Sequence, residues 1–192
     1  MSPPGPPATG YGTLHRLFHW LSALLILVTI PVGLAMTSEG FGGIGDALYV
    51  AHKSLGVVIL AVLVLRVAWR ILAPSPPELP ASVPPVQRRL AEWTHRGLYL
   101  LVAFMGITGY LRVVSGDFPV EILDALGIPP LISGAPALSS WLSVAHKVGA
   151  YLLVAGLAAH VAAAIHHALV LRDGVFERMW PPWAGRSPRD RG

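Results

Sequence analysis

Four stretches of this chain are too long and too apolar to be covered by water, and that constrains its fold more than any other feature. Between Arg16 and Glu39 lie 22 residues with no formal charge, and between Lys147 and Arg172 lie 24. A helix crosses the bilayer core with roughly 20 mostly apolar residues. These stretches predict a first span over about 17–37 and a last over about 142–171. Two further apolar stretches, about 51–71 and 93–114, carry Lys53, Arg66, Arg96 and Arg112 near their ends. Long basic side chains near span ends can snorkel to the interface. Only 12% of the 192 residues are charged, against about 25% in a soluble domain.

The prolines agree with this division. Of 18, only Pro31 falls inside a predicted span. The charge-free stretch from Ala125 to His146 contains Pro129, Pro130, Gly134 and Pro136, residues that break helices. It is predicted to be a loop whose tail enters the last span. Within the loop over 115–140, Pro119 to Ile128 is amphipathic, suited either to lying on the membrane or to covering what is beneath it. The expected fold is an all-α membrane protein, a bundle of four transmembrane helices over 15–180. A Pro/Gly-rich tail over 1–14 precedes it and a basic tail over 181–192 follows it. The first apolar stretch is too long for a typical signal peptide.

With four spans, both tails and the middle loop share one side. That side holds Arg16, Arg66, Arg70, Arg88, Arg89, Arg96, Arg172, Arg178, Arg186, Arg189 and Arg191, and the other holds Lys53, Arg112 and Lys147. Basic residues concentrate in the cytoplasm, so both termini are expected there. The net charge of +4 is then mostly a topology signal. The arginines flank spans and do not pattern a groove face, which argues against nucleic acid as a partner.

The chain has no cysteine and eight histidines. That removes disulfides, Fe–S clusters, thiolate nucleophiles and thioether-attached haem, and leaves imidazole as the metal ligand. Ionisable residues inside spans are functional candidates. His146 and His160 are fourteen residues apart in the last span. On a helix they share a face to within about 40° and are separated by about 21 Å along the axis. Depth then pairs His52 with His146 on the outer side and His19 with His160 on the inner side. Two bis-histidine pairs stacked across the bilayer suit two non-covalent b-type haems.

Other residues follow from that arrangement. Gly56, Gly149 and Gly156 each lie about one turn from a proposed ligand; they either let a porphyrin approach the backbone or let helices pack closely. Arg66 shares the face of His52 fourteen residues on, to pair with a haem propionate or to snorkel to the inner headgroups. Lys53, Arg112 and Lys147 form a basic rim over the outer haem or anchor the interface. His167, seven residues beyond His160, is placed to hydrogen-bond a quinone carbonyl. His95 is a propionate partner, a quinone contact or an alternative inner ligand, while His15 and His166 are read as interfacial. A transporter that relays protons through membrane histidines is the competing class; it predicts a colourless protein.

The histidines stand in runs that resemble the bacterial cytochrome b561 family. The runs are Leu17-Phe18-His19-Trp20, Ala51-His52-Lys53-Ser54-Leu55-Gly56, Ala145-His146-Lys147-Val148-Gly149 and Gly156-Leu157-Ala158-Ala159-His160. The closing segment from Ile165 through His166, His167, Arg172, Asp173 and Gly174 to Arg178-Met179-Trp180-Pro181 is also similar. The resemblance spans roughly 11–182 and is weakest over 115–140. It implies electron transfer between two b haems and the quinone pool. Some members resemble superoxide oxidases, which take an electron from superoxide at the outer face and reduce ubiquinone. For those, the rim of Lys53, Arg112 and Lys147 would attract the anion and His167 would touch the quinone. Others are cytochrome b subunits of membrane hydrogenases and dehydrogenases, fed by a redox protein.

Overall fold

The computed structural model describes residues 10–73, 79 and 83–180. The tails beyond them, with Arg186, Arg189 and Arg191, lie outside the described residues. Four long helices carry the fold: α1 Thr13–Ala35, α2 Gly45–Leu72, α3 Pro85–Ser115 and, after the short α4 Glu121–Ala125, α5 Pro136–His166. A π-helical turn His167–Leu171 continues α5. Counting that turn, four helices are long and apolar enough to cross a membrane.

Each helix begins before its predicted span. α3 begins at Pro85 and α5 at Pro136, each with proline in its first turn. Proline fits there because the first N–H groups of a helix have no intrahelical partner. Pro136 therefore starts a helix that was expected to begin near 142. Within the spans, hydroxyls satisfy themselves on the preceding turn: Ser22 Oγ donates to the Phe18 carbonyl at 2.6 Å and Thr29 Oγ1 to that of Leu25 at 2.7 Å. Without water in the hydrocarbon, every such group needs an internal partner.

The helices run up, down, up, down, and the tight pairs are α1–α2, α2–α3 and α3–α5. Gly106 brings α3 against α2, where a Cβ would meet Leu60 Cδ1 at 3.1 Å. Among the described residues only Ile26, Val83, Val114, Val120 and Leu153 are buried large apolar side chains, while many Leu, Val and Ile residues face outward. The outward surface matches lipid, and the interior is not packed solid by side chains.

The two ends of the bundle are closed differently. At the tail end, the segment after α5 is tied to the start of α1: Tyr11 N donates to the Arg178 carbonyl at 3.2 Å and Trp20 Nε1 to that of Met179 at 2.7 Å. At the loop end, 116–135 folds back as a cap. Ala135 N donates to Ser115 O at 2.9 Å, and Gly134 N to Asp117 Oδ1 at 2.7 Å. Gly134 has φ +64°, a left-handed conformation that glycine adopts without strain. Lys53 Nζ reaches from α2 to Glu121 Oε1 at 2.6 Å and to the Pro119 carbonyl at 2.7 Å. The amphipathic stretch thus becomes a short helix latched onto α2, and it roofs the loop end.

Partial burial opposes ionisation of Glu121, but the hydrogen bond and charge of Lys53 outweigh it and hold the carboxyl below the ordinary range. A group with a depressed folded pKa stabilises the fold above its unfolded pKa, and that stability is lost as pH falls through the folded value. Glu121→Gln should cost about 1 kcal/mol or less, the scale of a part-exposed pair. Thermal unfolding in detergent should show this difference at neutral pH, and it should vanish once the pH is well below the ordinary carboxylate range.

Candidate functional site

Two histidines of α5, His146 and His160, each meet a partner across the bundle. At the loop end, the rings of His52 and His146 have centroids 6.3 Å apart. At the tail end, His19 and His160 have centroids 6.2 Å apart. Two imidazoles on opposite sides of one iron, each bonded through nitrogen at about 2 Å, have centroids roughly 6 Å apart. The pairs join α2 to α5 and α1 to α5, helices outside the tight pairs of the bundle. Among the described residues no three His, Asp or Glu side chains converge as a metal cage. A bare ion would be left short of ligands, whereas a haem brings four nitrogens of its own and asks the protein for two. The donor set therefore fits haem.

The loop-end pair sits in the wall of a cavity of about 570 Å³, which Gly56, Leu60, Gly109 and Arg112 also line, together with Val120 and Leu123 of the cap. Glycines admit the rings. A Cβ on Gly33 would stand 2.7 Å from His52 Cε1, and one on Gly109 would stand 3.0 Å from His146 Cε1. The ring nitrogens are also addressed. His52 Nδ1 lies 3.3 Å from the Thr29 carbonyl, and His146 Nδ1 lies 3.2 Å from Thr108 Oγ1.

The tail-end pair has a third imidazole beside it, His95, whose centroid is 5.6 Å from that of His160. Arg66 points into this cluster: its Nη2 lies 3.5 Å from His19 Nδ1 and its guanidinium sits 4.9 Å over the Tyr99 ring. Among the described residues Arg66 has no carboxylate partner, so a cation is available for an anionic group at that level.

The other predicted site residues fall as follows. Gly56 lines the cavity, and nothing lies within 4 Å of where its Cβ would be. Gly149 is covered by α3, where a Cβ would meet Phe104 Cε1 at 2.7 Å, and the same position on Gly156 would meet Leu98 Cδ2 at 3.3 Å. These two serve close helix packing. Lys53 is latched to Glu121, Lys147 is exposed on α5, and Arg112 lines the cavity with no carboxylate partner among the described residues. His167 Nδ1 lies 2.7 Å from Asp173 Oδ2, with both side chains largely buried. The wide turn over His167–Leu171 and the left-handed Arg172 at φ 50° bring Asp173 back to it.

No one-turn spacing to a histidine on the same helix marks Gly33, Gly109 or Thr108 in the sequence. The available signal was the pair Gly106 and Gly109 around Thr108 in an apolar span, but such patterns mostly mark helix packing.

The chain is similar to known proteins over most of its length. A family model described as prokaryotic cytochrome b561 matches residues 10–182. The chain is 32% identical over 183 residues to cytochrome b561 homolog 2 of Escherichia coli K12, with 95% of each chain covered. It is 28% identical over 180 residues to the probable superoxide oxidase CybB of Yersinia pestis, covering 91% of this chain and 98% of that one.

The close approach at Gly33 yields a specific expectation. Gly33→Ala places a methyl where the His52 ring now lies and should displace that ring. Purified Gly33→Ala protein should show haem content reduced by up to half, read from its pyridine haemochrome spectrum, while its helix content by circular dichroism stays native.

Proposed function

The chain belongs to the prokaryotic cytochrome b561 family, and on that premise we propose that it carries electrons through two b-type haems from superoxide at the outer face to ubiquinone in the membrane. Family membership and the four membrane-crossing helices establish a multi-pass membrane protein of electron transfer. The two histidine pairs with matched ring separations of 6.2 and 6.3 Å are the observation that carries the di-haem reading.

In this reading His52 and His146 hold the outer haem, and His19 and His160 the inner one, with Arg66 toward an inner propionate. When bound, the haem irons supply the one-electron redox chemistry. The excess of basic residues on the tail side supports a cytoplasmic location for both termini, in the bacterial inner membrane. The bundle over 15–180 acts as one domain with the two tails appended.

The protein's own residues govern access and protons. The cap that Lys53 latches through Glu121 contributes Val120 and Leu123 to the lining of the outer cavity. Because Glu121 compensates Lys53, Arg112 is the cavity-lining cation left to attract an anion, with Lys147 exposed nearby on the rim. Cations at a cleft raise the encounter rate of an anionic substrate. At the inner side, the Asp173 carboxylate accepts from His167 Nδ1–H, and the ring in its charged form also carries a hydrogen on Nε2 to donate to a quinone carbonyl. The overall balance is that two superoxide ions are oxidised to two O2, while ubiquinone takes up two electrons and two protons to become ubiquinol. The similarity to a protein named probable superoxide oxidase supports this donor.

Stopped-flow mixing of the oxidised protein with superoxide should reduce haem and, with ubiquinone present, form ubiquinol. Arg112→Gln should slow haem reduction roughly tenfold at low salt and flatten its ionic-strength dependence, and Lys53→Gln should slow it less. Absence of haem reduction by superoxide would overturn the donor assignment and favour an electron-carrying subunit fed by a redox protein.

A further inference from the structure

We propose that Thr108 is a positioning residue for His146, fixing the tautomer of that imidazole and strengthening it as a ligand of the loop-end haem. The inference rests on the reading of His146 as a ligand. Thr108 is 5% exposed, in the α3 turn that faces α5. Its Oγ1 donates to the Phe104 carbonyl at 2.6 Å and lies 3.4 Å from that of Met105. A hydroxyl has one proton, and the short bond to Phe104 uses it. At 3.2 Å from His146 Nδ1, Oγ1 therefore accepts, and Nδ1 carries the hydrogen. That acceptor on α3 fixes the hydrogen on Nδ1, and the neutral ring keeps its lone pair on Nε2.

The partner ring is set in the same way: His52 Nδ1 faces the Thr29 carbonyl at 3.3 Å. The tail-end pair differs. His19 Nδ1 faces Arg66 Nη2 at 3.5 Å, a group that only donates. Among the described residues the side-chain acceptor on a ligand histidine belongs to the loop end. An outer partner that accepts the second N–H of a metal-bound imidazole orients the ring and raises its basicity. A more basic ligand favours the oxidised iron, so loss of the Thr108 hydroxyl moves that haem's potential upward. Gly109, next in the chain, leaves the gap into which the His146 ring fits, so α3 supplies both the space and the acceptor.

The test uses the full-length protein with its haem, as native, Thr108→Val and Thr108→Ser forms. Thr108→Val is close in shape and lacks the hydroxyl; Thr108→Ser keeps it. Redox titration and low-temperature electron paramagnetic resonance of the oxidised protein are read together. The expected result is that Thr108→Val retains both haems but shifts the potential upward and moves the g-values of one of them. That haem is the one lost in His146→Ala. The other haem stays native, and Thr108→Ser restores both signals. If Thr108→Val does not retain the loop-end haem, Thr108→Ala removes the same hydroxyl without the added methyl and is read the same way. Two haems with native potentials and g-values in the variant lacking the hydroxyl overturn the proposal alone. Two haems retained in His146→Ala overturn the ligand reading, and the proposal with it.

Discussion

The structure depends on two imidazoles placed fourteen residues apart on one helix. That spacing returns α5 to the same face after about 21 Å, so one helix presents a ring near each end of the bundle. Each ring must then find both a partner and an environment that tolerates a polar group in lipid. The chain meets the first need with His19 from α1 and His52 from α2, and the second with acceptors and gaps on neighbouring helices. Separation of the rings to 6.2 and 6.3 Å keeps α5 from closing onto α1 and α2. The sparse burial of the interior follows from the same arrangement, because the volume between the helices is reserved for something other than side chains.

The two ends differ where a redox protein that spans a membrane needs them to. The loop end is roofed by an ordered cap, its cavity is lined by Arg112, and both ring Nδ1 atoms face acceptors. The tail end gathers three imidazoles with Arg66 among them and is strapped by the segment after α5. The π-helical turn adds a residue's worth of slack, which lets Asp173 fold back onto His167. Turns of this kind are frequent at functional sites.

Much of this was legible in the sequence, for identifiable reasons. The spans were visible because lipid forbids charge over a long run, so uncharged length alone locates them. The histidine pairs were visible because helical period and rise convert sequence separation into face and depth. The starts of α3 and α5 were not, since a proline that breaks a helix interior is accepted in its first turn. The role of Lys53 was not visible because Glu121 is distant in sequence, and only the folded cap brings the two together. Gly149 and Gly156 were ambiguous for the same reason: that Phe104 and Leu98 fill the space beside them is a fact of α3 packing. Gly33 and Gly109, which make room for His52 and His146, stand on helices other than those of the rings they serve. No spacing rule along one helix finds them.

The most direct measurement is the haem count per chain by pyridine haemochrome assay, on native protein and on His160→Ala. Two b-type haems per 20.4 kDa chain, falling to one in the variant, is the predicted result. A native chain with a single haem, or a His160→Ala protein that still holds two, would contradict the assignment of one haem to each histidine pair.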